Sequence, residues 1–304
     1  MAGTTINEDS IAFIGFGEAA RAFLDGWRTN PGFRARISAY DIKTDSPDMQ
    51  VRAAKRADYA AASVIGASTA AEAVTGAEAV FSVVTADQAH QAALAALPGL
   101  RKGAFFFDCD SCAPQTKART AEAVEAVGGR YVDVAVMAPV HSRLHRTPLL
   151  ISGPHAEAAA PELAALDMSA RIHAGPVGAA SSVKMIRSIM MKGLEALVCE
   201  CVLAGEKAGV IETVLDSLDD SFPGFDWRKR SAYMLERVMT HGLRRAAEMR
   251  EVALTVDLLG LKGEMSRASV HWEQTIGELG LRATAAEAAD YRVLAARILA
   301  VLDP

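Results

Sequence analysis

Aromatic side chains make up only 6% of the 304 residues, cysteine occurs four times, and no long uninterrupted apolar run is present. Each scarcity excludes something. The cysteines, Cys109, Cys112, Cys199 and Cys201, form two close pairs, and no further Cys/His pair stands at a spacing that would complete a zinc site. A disulfide scaffold and a metal site are therefore not expected, and reduced thiols are. Cys109 and Cys112 have the spacing of a redox motif but lack its context. Asp87 and Asp133 interrupt the most hydrophobic stretches, short of the ~18–20 residues a membrane span needs. Residues 1–10 lack the basic and apolar regions of a signal peptide, so the cytoplasm is the expected compartment. An excess of positive charge is also missing, with 32 basic against 37 acidic residues and a net charge of -5. That balance argues against a nucleic-acid or anionic-membrane partner.

What is abundant is alanine, within a chain that is 51% hydrophobic and 23% charged, a soluble core-forming balance that favours helices. From Ser10 to about Ile172, short apolar runs alternate with alanine-rich amphipathic stretches of roughly a dozen residues, the rhythm of a parallel sheet covered on both faces. Strands are predicted at 11–15, 35–40, 79–84, 104–108, 131–136 and 149–152. Helices are predicted at 18–27, 87–97, 115–127 and 155–166. After Gly175-Pro176 no period-2 pattern returns. Residues 179–302 read as helices broken near Gly209, Phe222-Pro223-Gly224, Gly260 and Gly277-Gly280. The expectation is an α/β, doubly wound, mainly parallel Rossmann-type domain over 1–175, then an all-helical domain over 176–304.

Gly15-Phe16-Gly17-Glu18-Ala19-Ala20 follows the first strand and opens the first helix. It fits G-x-G-x-x-G/A, in which the first glycine makes a tight turn, the second admits a pyrophosphate to the backbone, and Ala20 allows close helix packing. The phosphates would sit on the positive helix N-terminus, contacting Gly15, Phe16, Gly17, Glu18 and Ala19. The alternative is a turn needed only for chain geometry. Asp41 ends the next strand, where a carboxylate accepts from an adenosine ribose and repels a 2'-phosphate, so NAD is favoured over NADP. Lys43 and Lys55 keep NADP open.

With these residues in view the chain resembles the β-hydroxyacid dehydrogenase family, which includes 3-hydroxyisobutyrate dehydrogenases and tartronate semialdehyde reductases and is related to 6-phosphogluconate dehydrogenase. The resemblance runs through four motifs in order. After the glycine turn, Asp108-Cys109-Asp110-Ser111-Cys112-Ala113-Pro114-Gln115-Thr116 looks like the substrate segment D-x-[SN]-[ST]-x-x-P-x-T. Gly128-Gly129-Arg130-Tyr131-Val132-Asp133 resembles the lead into D-A-P-V-S-G-G, and Gly175-Pro176-Val177-Gly178 with Lys184 resembles G-x-x-G-x-x-x-x-x-K. The C-terminal half is similar to a poorly characterised subgroup, through 192–197, 223–227 and 241–249. Departures stand at Asp110 (serine in the family), at Met137-Ala138-Pro139 (S-G-G) and at Ser188 (asparagine).

The resemblance implies a nicotinamide cofactor, a homodimer with interlocking helical domains, and catalysis by Lys184. Oxidising an alcohol requires a base for the hydroxyl proton. Lys184 lies among Val183, Met185, Ile186, Ile189 and Met190, so it is either a desolvated amine of lowered pKa or a lysine reaching the surface from an amphipathic helix. On a helix, Ser188, Met191 and Glu195 share its face. Ser188 then bonds the lysine, the reacting oxygen or its own helix. Arg187 is a partner for a substrate acid, a like charge that keeps the lysine neutral, or a solvated arginine. Ser111 and Asp110 stand beyond a strand's carboxyl end, either as substrate ligands, with Asp110 accepting from a polyol, amine or cation, or as a cap for the helix at Pro114.

Carried over by resemblance, Cys112, Met137, Ala138 and Pro139 would face the substrate, and Val84, Thr85 and Ala86 the nicotinamide. Arg244 on the 241–251 helix is a candidate for the substrate's acid group, with an Arg244–Glu248 surface pair as the alternative, and His241 either contacts substrate or is surface-exposed. Phe225 and Trp227 would line the pocket or pack the core. The expected function is hydride transfer between NAD, or NADP, and the CH-OH/C=O group of a small hydroxyacid or carbonyl substrate bound between the two domains. The rivals are an NADP-dependent carbonyl or imine reductase and a catalytically silent dinucleotide-binding regulator.

Overall fold

The structure, a computed structural model, describes residues 10–302. One sheet holds eight strands, β1 (Ser10–Ile14), β2 (Arg36–Tyr40), β3 (Ile65–Gly66), β4 (Ala79–Ser82), β5 (Phe105–Asp108), β6 (Arg130–Val136), β7 (Leu149–Ser152) and β8 (Ala170–Ile172). Their spatial order is β3-β2-β1-β4-β5-β6-β7-β8, and every neighbouring pair is parallel except β6 with β7. Helices α1 (Glu18–Trp27), α2 (Met49–Ala61), α3 (Ala70–Val74), α4 (Ala89–Ala96), α5 (Pro114–Ala126) and α6 (Ala156–Ala165) connect the strands.

The alternation of side chains along a strand explains why both faces are apolar. Phe13, Phe81, Phe105 and Phe107 point to one face and pack with Phe23 and Trp27 of α1 and Leu163 of α6. Ala12, Ile14, Val80 and Phe106 point to the other and meet Ala73 and Val74 of α3, Ala93 and Ala96 of α4, and Val124 of α5. Few aromatics suffice because they are concentrated: Phe81 and Phe107 stack with centroids 4.7 Å apart, and Phe13 and Trp27 with 5.6 Å.

The expected Rossmann-type architecture is present, with two strands and two helices more than the sequence patterns indicate. β3 has two residues and β8 three, one of them Arg171, too short for an alternation to register. α2 buries only Lys55 and Tyr59, so it carries little apolar stripe. β4 ends two residues earlier than predicted, at Ser82.

The chain divides into two compact units after Lys184. That boundary falls inside α7 (Ala179–Ala208), which is followed by α8 (Ile211–Ser221), α9 (Trp227–Leu258), α10 (Glu264–Glu278) and α11 (Tyr291–Leu302). Among the described residues the regular structure of the second unit is all helical, and it packs around Val202, Leu235, Val238, Ile276, Leu294 and Ile298. α9 and α10 meet at Gly242, where a Cβ would lie 2.4 Å from the Glu273 carbonyl oxygen, so no larger residue allows this approach. Phe225 and Trp227 pack on each other at 4.4 Å and Trp227 Nε1 donates to the Leu218 carbonyl, the core alternative for these two residues. Among the described residues no helix is long and apolar enough to cross a membrane, and no cluster of metal-ligating side chains occurs.

Candidate functional site

The turn after β1 separates two requirements for glycine. Gly15 has φ +84°, and a Cβ there would lie 2.9 Å from the Val83 carbonyl oxygen and from Val84 Cγ1, so Gly15 is required by the fold. At Gly17 a Cβ would meet nothing within 4 Å, and no side chain caps α1. The fold does not need Gly17, whereas a phosphate approaching the first-turn amides does. The chain thus fits a dinucleotide at the place where its motif predicts one.

The Phe16 ring is fully buried between Phe13 and Tyr59, which leaves only its backbone at the turn. Asp41 Oδ2 accepts the Phe16 amide N–H at 2.9 Å, and Oδ1 accepts that of Lys43 at 3.0 Å. Lys55 Nζ donates to the Phe16 carbonyl at 2.7 Å and lies 3.7 Å from Asp41 and 3.1 Å from Asp58. Both backbone polar groups of Phe16 are therefore held, and the buried Lys55 ammonium is committed to the turn. Glu18 is exposed and paired with His141 at 3.1 Å.

At the end of β4 the chain turns away because Val84 N–H donates to Asp110 Oδ1 at 2.6 Å while Ser82 Oγ donates to Oδ2 at 2.6 Å. Asp110 is 3% exposed, and burial, reinforced by the Asp108 carboxylate, pushes its carboxyl well above the ordinary range. Its expected role as a ligand for a polyol or cation gives way to that of a strut joining the Val84-Thr85-Ala86 segment to the end of β5. The helix-cap alternative falls too, since α5 is preceded by Ala113 and has no side-chain cap. Cys112, expected at the substrate, is fully buried against Ala86 and Ala89 and directs its thiol at the Ala86 carbonyl. Cys109 is also buried, and its thiol is pushed up by burial. Both cysteines are free thiols, as their missing redox context suggested.

Beneath these loops lies a charged interior that the sequence patterns did not indicate. Lys117 of α5 is fully buried and donates to the Asp108 carboxylate at 2.7 Å and to its carbonyl at 2.6 Å, with Asp133 at 3.8 Å. Tyr131 OH donates to the other Asp108 oxygen at 2.5 Å. Burial alone would lower the Lys117 pKa, but Asp108 and Asp133 outweigh it and raise it above the ordinary lysine value. Removing one partner from such a pair costs on the order of 3–5 kcal/mol, because the other charge stays buried. The available signal was an acidic residue within an apolar strand, Asp133 between Val132 and Val134.

Above this interior, Lys184 Nζ donates to Ser111 Oγ at 2.7 Å. The lysine is half-buried in the second turn of α7, and Ser111 stands three residues past the end of β5. The two residues singled out from separate motifs, 73 positions apart, are thus in contact within the first unit. Met137 and Ala138 are half-buried and Pro139 is exposed in the segment after β6.

In the second unit, Ser188 is buried and receives Lys192 Nζ at 3.5 Å, and Lys192 pairs with Glu248 at 2.6 Å. Met191 is 45% exposed, so it does not share the buried side of α7 with Ser188 and Glu195. Arg187 is exposed. Arg244 is largely exposed and pairs with Glu248 at 3.7 Å, the surface-pair alternative, while the buried arginine is its neighbour Arg245, bonded to Glu195. His241 is half-buried on α9. Glu273 is fully buried, neither carboxylate oxygen has a hydrogen-bond donor, and burial pushes its carboxyl up to about 8 against the pull of Arg245.

A strand-turn-helix with an open, uncapped glycine turn on a mainly parallel eight-stranded sheet defines a dinucleotide-binding protein of the Rossmann class. Residues 10–175 match the NAD binding domain of 6-phosphogluconate dehydrogenase, more than half of the chain, and the protein belongs to that family. Residues 206–276 match a domain of unknown function, DUF1932. A conserved hypothetical protein from Sinorhizobium meliloti 1021, known from its crystal structure, is 38% identical, with a TM-score of 0.70 over 95% of this chain and 97% of that one. The 3-hydroxyisobutyrate dehydrogenase of Pseudomonas aeruginosa is 29% identical over 168 residues, 53% of this chain and 56% of that protein, so the chain spans about half the length of this relative. The 3-hydroxyisobutyrate dehydrogenase of Mycobacterium tuberculosis shares the fold, with a TM-score of 0.66 over 97% of this chain and 99% of that one, at 16% identity.

Proposed function

We propose that the protein is a nicotinamide-dependent oxidoreductase acting on the CH-OH/C=O group of a small β-hydroxyacid-like molecule, with Lys184 as general acid and base. The observation that carries this reading is the 2.7 Å hydrogen bond from Lys184 Nζ to Ser111 Oγ, in the unit that also holds the open glycine turn. The first-turn amides of α1 would hold the pyrophosphate, and the Val84-Thr85-Ala86 segment, braced by Asp110, would form the wall against the nicotinamide. When bound, the dinucleotide supplies the hydride acceptor for oxidation or the donor for reduction.

In oxidation, the Lys184 amine would take the substrate's O–H proton, with Ser111 hydrogen-bonded to the same oxygen, while the hydrogen on the carbon would leave with the bond's electron pair for the dinucleotide. In reduction, the Lys184 ammonium polarises the carbonyl and returns the proton. NAD is the favoured cofactor, supported by Asp41 at the end of β2 and by the engagement of Lys55 with Phe16, which leaves Lys43 as the exposed cation of the two. For the substrate's acid group Arg187 is preferred to Arg244, whose guanidinium faces Glu248. A homodimer would cover α7, where Ile186, Met190 and Leu197 are 50%, 70% and 56% exposed, and sedimentation reads that state directly.

A panel of hydroxyacids, aldehydes and polyol acids, followed by NADH and NADPH absorbance, tests the reading. Turnover of a hydroxyacid with NAD supports it. Dinucleotide binding without turnover across the panel overturns it in favour of a silent binder.

A further inference from the structure

We propose that Asp133 is a positioning residue for Lys184: its carboxylate caps the start of α7 from the neighbouring sheet and so fixes the lysine against Ser111. This rests on the role assigned to Lys184 above. Asp133 lies inside β6, in register with Asp108 of β5, and is fully buried. A carboxylate in that place is costly unless its oxygens are well supplied with donors, and they are. Oδ2 accepts from Ser152 Oγ at 2.8 Å, Gly178 N at 3.0 Å and Ser181 N at 3.1 Å, and Oδ1 accepts from Ser181 Oγ at 2.5 Å. Ser152 Oγ in turn accepts from Ala180 N at 3.0 Å.

These amides are among those a helix start leaves without an internal partner, and helices ordinarily satisfy them with a side chain at the N-cap itself. Here the acceptor comes from a strand 45 to 48 positions earlier in the chain. A local cap would satisfy the first turn of α7 without tying it to β6, whereas the Asp133 carboxylate does both. Lys184 lies three residues after Ser181, so the placement of that first turn sets where Nζ stands.

A second contact fixes the same turn. Gly178 has φ +94°, and a Cβ there would lie 2.9 Å from Pro114 Cβ, so α7 begins directly against the first residue of α5, three residues after Ser111. Lys117 pairs with Asp108, whose Oδ1 also accepts the Asp110 N–H at 3.0 Å one residue before Ser111, and lies 3.8 Å from Asp133. The segments that carry Ser111 and Lys184 are therefore each bonded to a carboxylate next to the buried Lys117.

Asp133→Asn keeps the size but loses the charge and replaces one acceptor oxygen with a donor, leaving at least one donor of the cap unmatched. The crystal structure of cofactor-free Asp133→Asn should show the Lys184 Nζ to Ser111 Oγ separation beyond hydrogen-bond range. On a substrate found in the panel, kcat should fall about 10- to 100-fold with KM for the dinucleotide unchanged. Ser181→Ala and Ser152→Ala, which keep the carboxylate, should show the same split at smaller size and remain informative if Asp133→Asn does not fold. An unchanged separation, or variants that lose thermal stability with kcat intact, would overturn the proposal. If the wild-type protein turns over nothing, the functional reading fails, while the separation still decides whether Asp133 positions the lysine.

Discussion

The carboxylate of Asp41 accepts the amide N–H of Phe16 at 2.9 Å, tying the end of β2 to the glycine turn of β1. Because Lys55 holds the carbonyl of the same residue, the turn is shaped from two sides before any ligand arrives. Asp41→Ala should therefore weaken dinucleotide binding as well as relax selectivity. We expect NADH affinity to fall about 10-fold or more, the scale of a lost hydrogen bond to a charged group. NADPH should gain relative to NADH as the repulsion of a 2'-phosphate disappears. Titration of both cofactors by fluorescence checks this, and an unchanged ratio would remove Asp41 from cofactor choice.

The two glycines of the turn should separate folding from binding. Gly15→Ala places a Cβ at φ +84° against Val83 and Val84 and should cost about 1–3 kcal/mol in chemical denaturation. In Gly17→Val the new Cβ meets nothing within 4 Å, so stability should change by about 1 kcal/mol or less, while measurable NADH binding is abolished. Retained binding in Gly17→Val would mean that the pyrophosphate does not use this turn.

The buried Glu273 carboxyl makes a pH-dependent prediction. Its folded pKa of about 8 lies above the ordinary 4.5, so the folded state binds a proton that the unfolded state releases, and stability falls as pH rises from 4.5 to 8. The slope contributed is at most about 1.4 kcal/mol per pH unit. Glu273→Gln, neutral throughout, should match the wild type near pH 4.5 and exceed it in melting temperature by pH 8. Equal melting curves at both pH values would show that Glu273 finds a stabilising partner when ionised.

The parts of this architecture that repeat a local pattern were legible in the sequence. The apolar runs around Phe13, Phe81 and Phe106 marked strands because a parallel sheet is buried on both faces, and Gly15 and Gly17 marked the turn because strand and helix flank them. What was hidden depends on long-range contacts. β3 pairs only through Ser38–Ile65 and Ala39–Gly66, and no periodicity is visible in two residues. Asp110 reads as a ligand by its place beyond a strand and becomes a strut only because Ser82 and Val84 come within 2.6 Å. Lys117 sits in a helix of ordinary polarity, and its burial is explained only by Asp108 and Asp133 from two strands. Lys184 and Ser111 were legible as separate motif positions, but their contact belongs to the fold.

Exchange of the substrate proton by Lys184 is the step on which the proposed function depends. Its most direct measurement is kcat for Lys184→Met on an identified substrate, alongside NADH affinity of the same variant. The methionine keeps the length of the side chain and removes the amine. Loss of the amine should lower kcat about 100- to 10,000-fold with NADH affinity unchanged. Turnover at the wild-type rate would contradict that exchange.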